Sequence, residues 1–329
     1  MPKGIYTQTT CVLLSGPATL DELTTALDGF EICKRIDRSS SWELGGPTLV
    51  IAYRPDVNGF VAIDVVNRQW PDSMGDPQSS STLFGAWVMG QFGPFTFPRS
   101  MERAAQQAWA WEDGPTAVER HQGFIRIRLS YAFGLGDDQP IMPESVNTLD
   151  ELDFLTQLTE SLLSLPQAIC YFNPNGEVLK DRANLKQCLE FANENEMPPI
   201  DAWANVRLFN INEQFALMDS VGNQQMNVSD FETVFCGSDY DPSDVDAFMR
   251  NGTLYLLENG DVIKDGDTMD GPGDVHWQVT VRKATCDPPR DVLRWRPLDN
   301  RDLPAELLAM DEANDRDIEE TDDDDDSSI

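Results

Sequence analysis

Gly123–Tyr131 reads GFIRIRLSY. Phe124, Ile125, Ile127, Leu129 and Tyr131 are set against Arg126, Arg128 and Ser130, and the near-perfect alternation predicts a half-buried β-strand. Upstream, Ser100–Trp111 carries Ala104, Ala105, Ala108 and Trp111 at helical intervals, and Pro115 can open a further short helix. Before that lie two β-rich runs, Leu49–Arg54 and Phe60–Val66. Pro55-Asp56-Val57-Asn58-Gly59 separates them and signals a hairpin. Thr9–Ser15 reads as a strand, and Thr19 with Glu22 has the spacing of a capping box at the head of a helix that buries Leu20, Leu23 and Leu27. From the N-terminus to Tyr131 the order is therefore βαββαβ.

Downstream, Asn147–Leu165 is a helix with a stripe of Leu152, Leu155, Leu158, Leu162 and Leu165, stopped by Pro166. The same order then recurs. Ala168–Phe172 is a strand, Asp181–Asn195 a helix, Ala204–Asn210 and Phe215–Asp219 a hairpin, Ser243–Glu258 a helix and His276–Arg282 a strand. This pattern predicts an α+β protein of two βαββαβ-like halves, each an antiparallel sheet with helices on one face. The expected boundaries are 1–146 for the N-terminal half, 147–165 for a connecting helix, 166–290 for the C-terminal half and 291–329 for an acidic tail, disordered from about 311.

The 329 residues hold 57 Asp and Glu against 24 Lys and Arg, a formal net charge of -33. Asp311–Asp326 contributes eleven carboxylates and the single cation Arg316, which leaves -23 on the rest of the chain. Such a molecule repels phosphates and anionic lipid, so direct nucleic-acid binding and docking on acidic membranes are excluded as expectations. The run Asp322–Asp326 repels itself and has nothing apolar to bury. Six widely spaced cysteines without a C-x-x-C pair predict free thiols. The apolar piece Cys11–Leu14 is short for a signal-peptide core, and no apolar run approaches the ~20 residues of a spanning helix, so a cytoplasmic protein is expected.

Asp265, Asp267 and Asp270 lie in KDGDTMDGPGD (264–274), an arrangement of oxygen ligands that could suit calcium or magnesium but lacks EF-hand spacing. Asp-Gly pairs are also ordinary turn formers, and that is the simpler reading. There is no G-x-S-x-G elbow, and His121 and His276 are the only histidines available to a nucleophilic set. Gly134-Leu135-Gly136 is followed by Asp137 and Asp138, which would repel phosphate. No cofactor is expected. The aromatic, glycine-rich loops Trp70–Pro77 and Phe84–Phe95 read as core or as a recognition surface. If the protein binds a cationic partner, exposed-loop carboxylates are the natural contacts, with Asp137, Asp138, Asp239, Asp241 and Asp244 as candidates.

The strings WPDSMGDP (70–77), FGAWVMGQFGPFTFP (84–98), ERAAQQAWAW (102–111), YFNPNGEVL (171–179), DAWANVRLFN (201–210) and IKDGDTMDGPG (263–273) resemble a bacterial family known as domain of unknown function 4261. The resemblance runs over nearly the whole chain before the acidic tail. It implies a bacterial cytosolic protein and carries over no reaction and no catalytic residue. The function expected from charge and motifs is an immunity protein that blocks a cognate basic, nuclease-type effector of the kind delivered by type VI secretion. The alternatives are a metal-dependent hydrolase built on Asp265, Asp267 and Asp270, or an adaptor or chaperone for a secreted cargo protein.

Overall fold

In the computed structural model, which describes residues 3–37, 42–134, 142–299 and 301–312, the stretch Gly123–Ser130 is a strand inside a seven-stranded sheet. The chain divides into two units, 1–205 and 206–329. The α+β class holds in both.

The first unit runs β1 (Gln8–Leu14), α1 (Leu20–Ala26), β2 (Ile32–Ile36), β3 (Thr48–Arg54), β4 (Gly59–Val66), α2 (Ser81–Val88), α3 (Ser100–Gln106), α4 (Gly114–Arg120), β5 (Gly123–Ser130), α5 (Thr148–Leu162), β6 (Ala168–Asn173), β7 (Val178–Lys180), α6 (Arg182–Glu194) and α7 (Ile200–Trp203). The strands lie in the order β2-β3-β4-β5-β1-β6-β7, every pair antiparallel. The expected capping box is present: Thr19 caps α1 and the Glu22 carboxylate accepts from the Thr19 amide at 2.8 Å. The β3–β4 hairpin closes through Asn58, whose φ of 60° is a left-handed conformation that asparagine tolerates.

Two expectations are corrected here. β5 is buried along its whole length, because both faces of the sheet are covered. On one face Thr10 of β1 bonds Thr159 of α5 at 2.9 Å and Tyr131 donates to Glu151 of α5 at 2.7 Å. On the other, Trp70 packs edge-to-face on Phe124 and Phe172, each 5.2 Å away, and joins Trp87, Phe92 and Met101 in one core. The aromatic loops after β4 are thus core, and the arginines of β5 lie beneath them. The second correction concerns the boundary. β6 pairs with β1, and Cys170, Phe172 and Leu179 share the core with Leu13 and Phe124, so 166–205 belongs to the first unit. The 147–165 helix packs on the first sheet instead of linking two halves.

The second unit runs β8 (Asn205–Asn210), β9 (Phe215–Val221), β10 (Asp230–Cys236), α8 (Pro242–Asn259), β11 (Thr268–Gly271), β12 (Val275–Lys283) and β13 (Asp291–Pro297). Its sheet has the order β11-β12-β13-β10-β9-β8, and β10 with β13 is a parallel pair. α8 lies on the face that carries Phe231, Trp277 and Trp295. Phe248 sits 5.2 Å from Trp277 and 5.7 Å from Trp295. Asn251-Gly252 does not end this helix: a Cβ at Gly252 would meet the Phe231 ring at 2.9 Å, so glycine is needed for the close approach.

The expected tail begins too early. β13 is an interior strand, and Leu307 is fully buried against Leu217 and Val234. Residues 305–312 are helical. Asp311, the first carboxylate of the acidic run, is 5% exposed and accepts from Arg294 at 2.7 and 2.9 Å. Residues 313–329, with the run Asp322–Asp326, lie outside the described residues. Among the described residues no helix is long and apolar enough to cross a membrane.

Candidate partner-binding groove

α8 and the β11 segment border a groove of about 630 Å³ in the second unit. Phe248, Tyr255, Val262, Ile263, Met269 and Trp295 give it apolar walls, and Asn251, Asp267, Thr268 and Asp270 supply its polar lining. Helical spacing explains the α8 side. Positions 244, 248, 251 and 255 recur at intervals of four and three residues, so the exposed Asp244 shares a helix face with the groove residues Phe248, Asn251 and Tyr255. Tyr255 is 44% and Val262 45% exposed, so two apolar members of the groove wall are open to solvent. The indole N–H of Trp295 is buried and has no acceptor, which costs about 1–3 kcal/mol in a folded protein.

The expected contact carboxylates are spread unevenly. Asp241 is the N-cap of α8 and accepts from the Ser243 amide at 2.8 Å. Asp239 accepts from Ser238 at 2.8 Å and pairs with Arg301. Both are exposed but committed to local structure; Asp244 is exposed in the first turn of α8 and is not part of the groove lining. Asp137 and Asp138 lie outside the described residues.

The three aspartates weighed as a cation loop take three separate tasks. Asp265 accepts from the Val281 amide at 2.9 Å, Asp267 from the Lys264 amide at 2.8 Å, and Asp270 pairs with His276 at 2.8 Å. Each fixes the turn before β11 or the β11–β12 pairing. Among the described residues no three His, Cys, Asp or Glu side chains are grouped to hold a metal ion.

The remaining candidates for chemistry are occupied by structure. His121 accepts from the Trp70 amide through Nε2 at 2.8 Å and faces the Val118 carbonyl through Nδ1. Those contacts make Nδ1 the protonated nitrogen, and burial pushes the imidazole pKa down. His276 is exposed and bound to Asp270, so the two histidines serve different loops. All six cysteines are free. Burial raises the thiol pKa of Cys11 and Cys170 and pushes that of Cys286 up to about 12, the opposite of an activated nucleophile.

The charge of the body is sorted by the fold. Arg126, Arg128, Arg207, Arg290 and Arg294 are buried. Arg126 and Arg128 donate to Asp64 at 2.6 and 2.9 Å; Arg290 donates to Asp219 at 2.7 Å, beside Arg207. Burial alone would raise the carboxyl pKa of Asp64 and Asp219, but the paired guanidinium charges outweigh it and hold both below the usual carboxylate range. These five cations are thereby committed to internal carboxylates and are withdrawn from the surface.

Sequence reading missed the groove because its apolar walls come from four elements. Phe248 belongs to the buried stripe of α8 with Val245, Met249 and Leu256, a periodicity visible in the sequence. Tyr255 falls just outside that stripe, and this displacement is the one available signal.

The family model described as Domain of unknown function (DUF4261) matches residues 219–296, from β9 to β13. The match takes in α8, β11 and the whole groove. Of the motifs that resemble the family, IKDGDTMDGPG falls inside the matched stretch; the others lie upstream of it. No curated protein and no solved structure matches the chain.

Proposed function

We propose that this is an acidic binding protein that occupies a basic partner, and specifically a bacterial immunity protein that neutralises a cognate nuclease-type toxin in the cytoplasm. The observation that carries the reading is the apolar groove with Asp267 and Asp270 on its rim, set in a body whose buried arginines are already spent on internal carboxylates. Enzymes that cut nucleic acids present cationic clefts. A body that carries -25 over residues 1–312 (-23 through residue 310, with Asp311 and Glu312 added) can compete for such a cleft and associate quickly through long-range attraction. The groove adds what charge lacks, a desolvated apolar contact that gives affinity once the partners meet.

The hydrolase alternative draws no support from the aspartate geometry, since Asp265, Asp267 and Asp270 each cap a different backbone or side-chain group. An adaptor for a secreted cargo would use the same surface; it differs in leaving its partner active.

Co-expression tests the proposal. Cells that express a toxin encoded beside this gene should survive when this chain is made with it, and the purified pair should associate more slowly as salt rises, because screening shortens the field to ~8 Å at physiological ionic strength. Failure to rescue against every neighbouring toxin, or an association rate indifferent to salt, would overturn it.

A further inference from the structure

β11 is an edge strand, hydrogen-bonded to β12 on one side, and its residues Thr268, Met269 and Asp270 contribute to the groove that α8 covers. Its pairing shows which backbone groups face outward. Val279 donates to the Asp267 carbonyl, and the His276 carbonyl is taken by Leu298 on the β13 side of β12. Residues facing β11 are therefore Val279, Trp277 and Val275, whose partners are Asp267, Met269 and Gly271. In an antiparallel pair the intervening residues turn their N–H and C=O groups away from the partner strand. Those residues are Thr268 and Asp270.

Edges of this kind invite another strand, and proteins guard them with short strands, charge and proline. β11 has four residues, carries Asp270 and runs into Pro272. These devices discourage pairing with a second copy of this acidic chain. Toward a basic segment the same carboxylate is an attraction, so the guard is selective.

We infer that an extended cationic segment of the partner adds to this sheet alongside β11. The inference rests on the proposed binding function and names how the groove is used. Successive side chains of an added strand alternate between the two faces of the sheet. On the α8 face they lie nearest Met269, with the exposed Tyr255 on the same side of the sheet; on the opposite face they pass the exposed carboxylate of Asp270. The occupant is thus a segment in which aliphatic or aromatic residues alternate with lysine or arginine. Strand addition of this type takes affinity from main-chain bonds and selectivity from alternate side chains.

The test uses the full chain and a fluorescein-labelled peptide of alternating lysine and valine, with fluorescence anisotropy as readout. The peptide should bind saturably and slow hydrogen exchange at Thr268–Gly271. A glutamate–valine peptide, and a lysine–valine peptide N-methylated on the amides of one edge, should each bind at least about tenfold more weakly. Thr268→Pro, which removes an outward N–H from an edge where proline is tolerated, and Tyr255→Ala should weaken binding by a similar factor. Equal binding of the plain and N-methylated lysine peptides would overturn strand addition while leaving the charge-based reading standing. No binding of the lysine peptide, in a protein that holds a basic toxin with salt-dependent affinity, would do the same. If neither peptide nor toxin binds, the inference and the proposed function fall together.

Discussion

The two sheets bury charge in different ways. In the first unit the cluster is local: Asp64 of β4 lies directly opposite Arg126 of β5 and also receives Arg128, with Arg126 against the Trp42 and Phe92 rings and Arg128 against Tyr6. In the second unit charge runs across the sheet. Asp219, Glu232 and Arg294 are in register on β9, β10 and β13, and this row reaches Arg207 at one end and Asp311 at the other. One cluster fills a gap beneath an aromatic cover. The other holds a segment in place, since Asp311 belongs to the stretch that also buries Leu307. The lesson is that an acidic protein can commit several of its few cations to buried carboxylates and fix its own fold with them.

The largest effects should come from breaking either cluster at its shared carboxylate. Asp219→Ala leaves Arg207 and Arg290 buried without their common partner, and Asp64→Ala does the same to Arg126 and Arg128. Each should cost about 3–5 kcal/mol, because an uncompensated buried charge is far worse than none. Hydrogen exchange sharpens the comparison. Asp219→Ala should accelerate exchange within 206–312 and Asp64→Ala within 3–205. Equal acceleration everywhere in both variants would show that the two units unfold as one.

A smaller loss is expected where the second cluster meets the apolar cover. Leu307→Ala removes a fully buried side chain from a short segment able to relax, so the cost should lie at the low end of the ~2–5 kcal/mol range for such truncations. The urea midpoint measures it. An unchanged midpoint would mean that the 301–312 segment is held by Asp311 alone.

These same charged residues mark how far the sequence was legible. Elements with a strong local signature were readable: the Thr19 capping box, the α5 leucine stripe, the β3–β4 hairpin and α8. Their grouping was not. Ala168–Phe172 looks like the first strand of a new half because nothing in its own residues says that Cys11 and Leu13 lie beside it. Arg126 and Arg128 look like a solvent face because alternation reports polarity, and polarity means exposure only when no other layer covers it. β13 was hidden inside an acidic stretch, since the arginine that fixes its inner face, Arg294, reads as surface until Glu232 is placed next to it. At the groove, Asp267 and Asp270 were visible, but as turn formers or ligands. The apolar wall that makes them a rim is assembled from residues up to 47 positions apart, Phe248 to Trp295.

The smallest predicted effect separates the two kinds of buried carboxylate by the sign of their pH dependence. Glu151 on α5 is fully buried and accepts from the Tyr131 hydroxyl at 2.7 Å, with no arginine bound to it in the way that Arg126 is bound to Asp64. Burial raises its pKa, and the Tyr131 bond only partly opposes that. The folded state therefore holds this proton more tightly than the unfolded chain. Its contribution to stability is fully present below the unfolded value of about 4.3 and is lost as pH rises through the folded value. Asp64 and Asp219 behave in the opposite sense: their pKa is lowered on folding, so their contribution is present above about 3.9 and lost as pH falls through the folded value. Glu151→Gln keeps an oxygen for Tyr131 and removes the titration. The variant should lose the decline in urea midpoint on going from weakly acid to neutral pH, gain under about 1 kcal/mol at neutral pH, and keep the steep acid limb. If the decline persists in Glu151→Gln, the burden shifts to Asp230 in the second unit, whose pKa burial also raises despite Arg290. In that event the first sheet would carry its charge at no cost at neutral pH, and the contrast between the two units would be one of electrostatic strain as well as of layout.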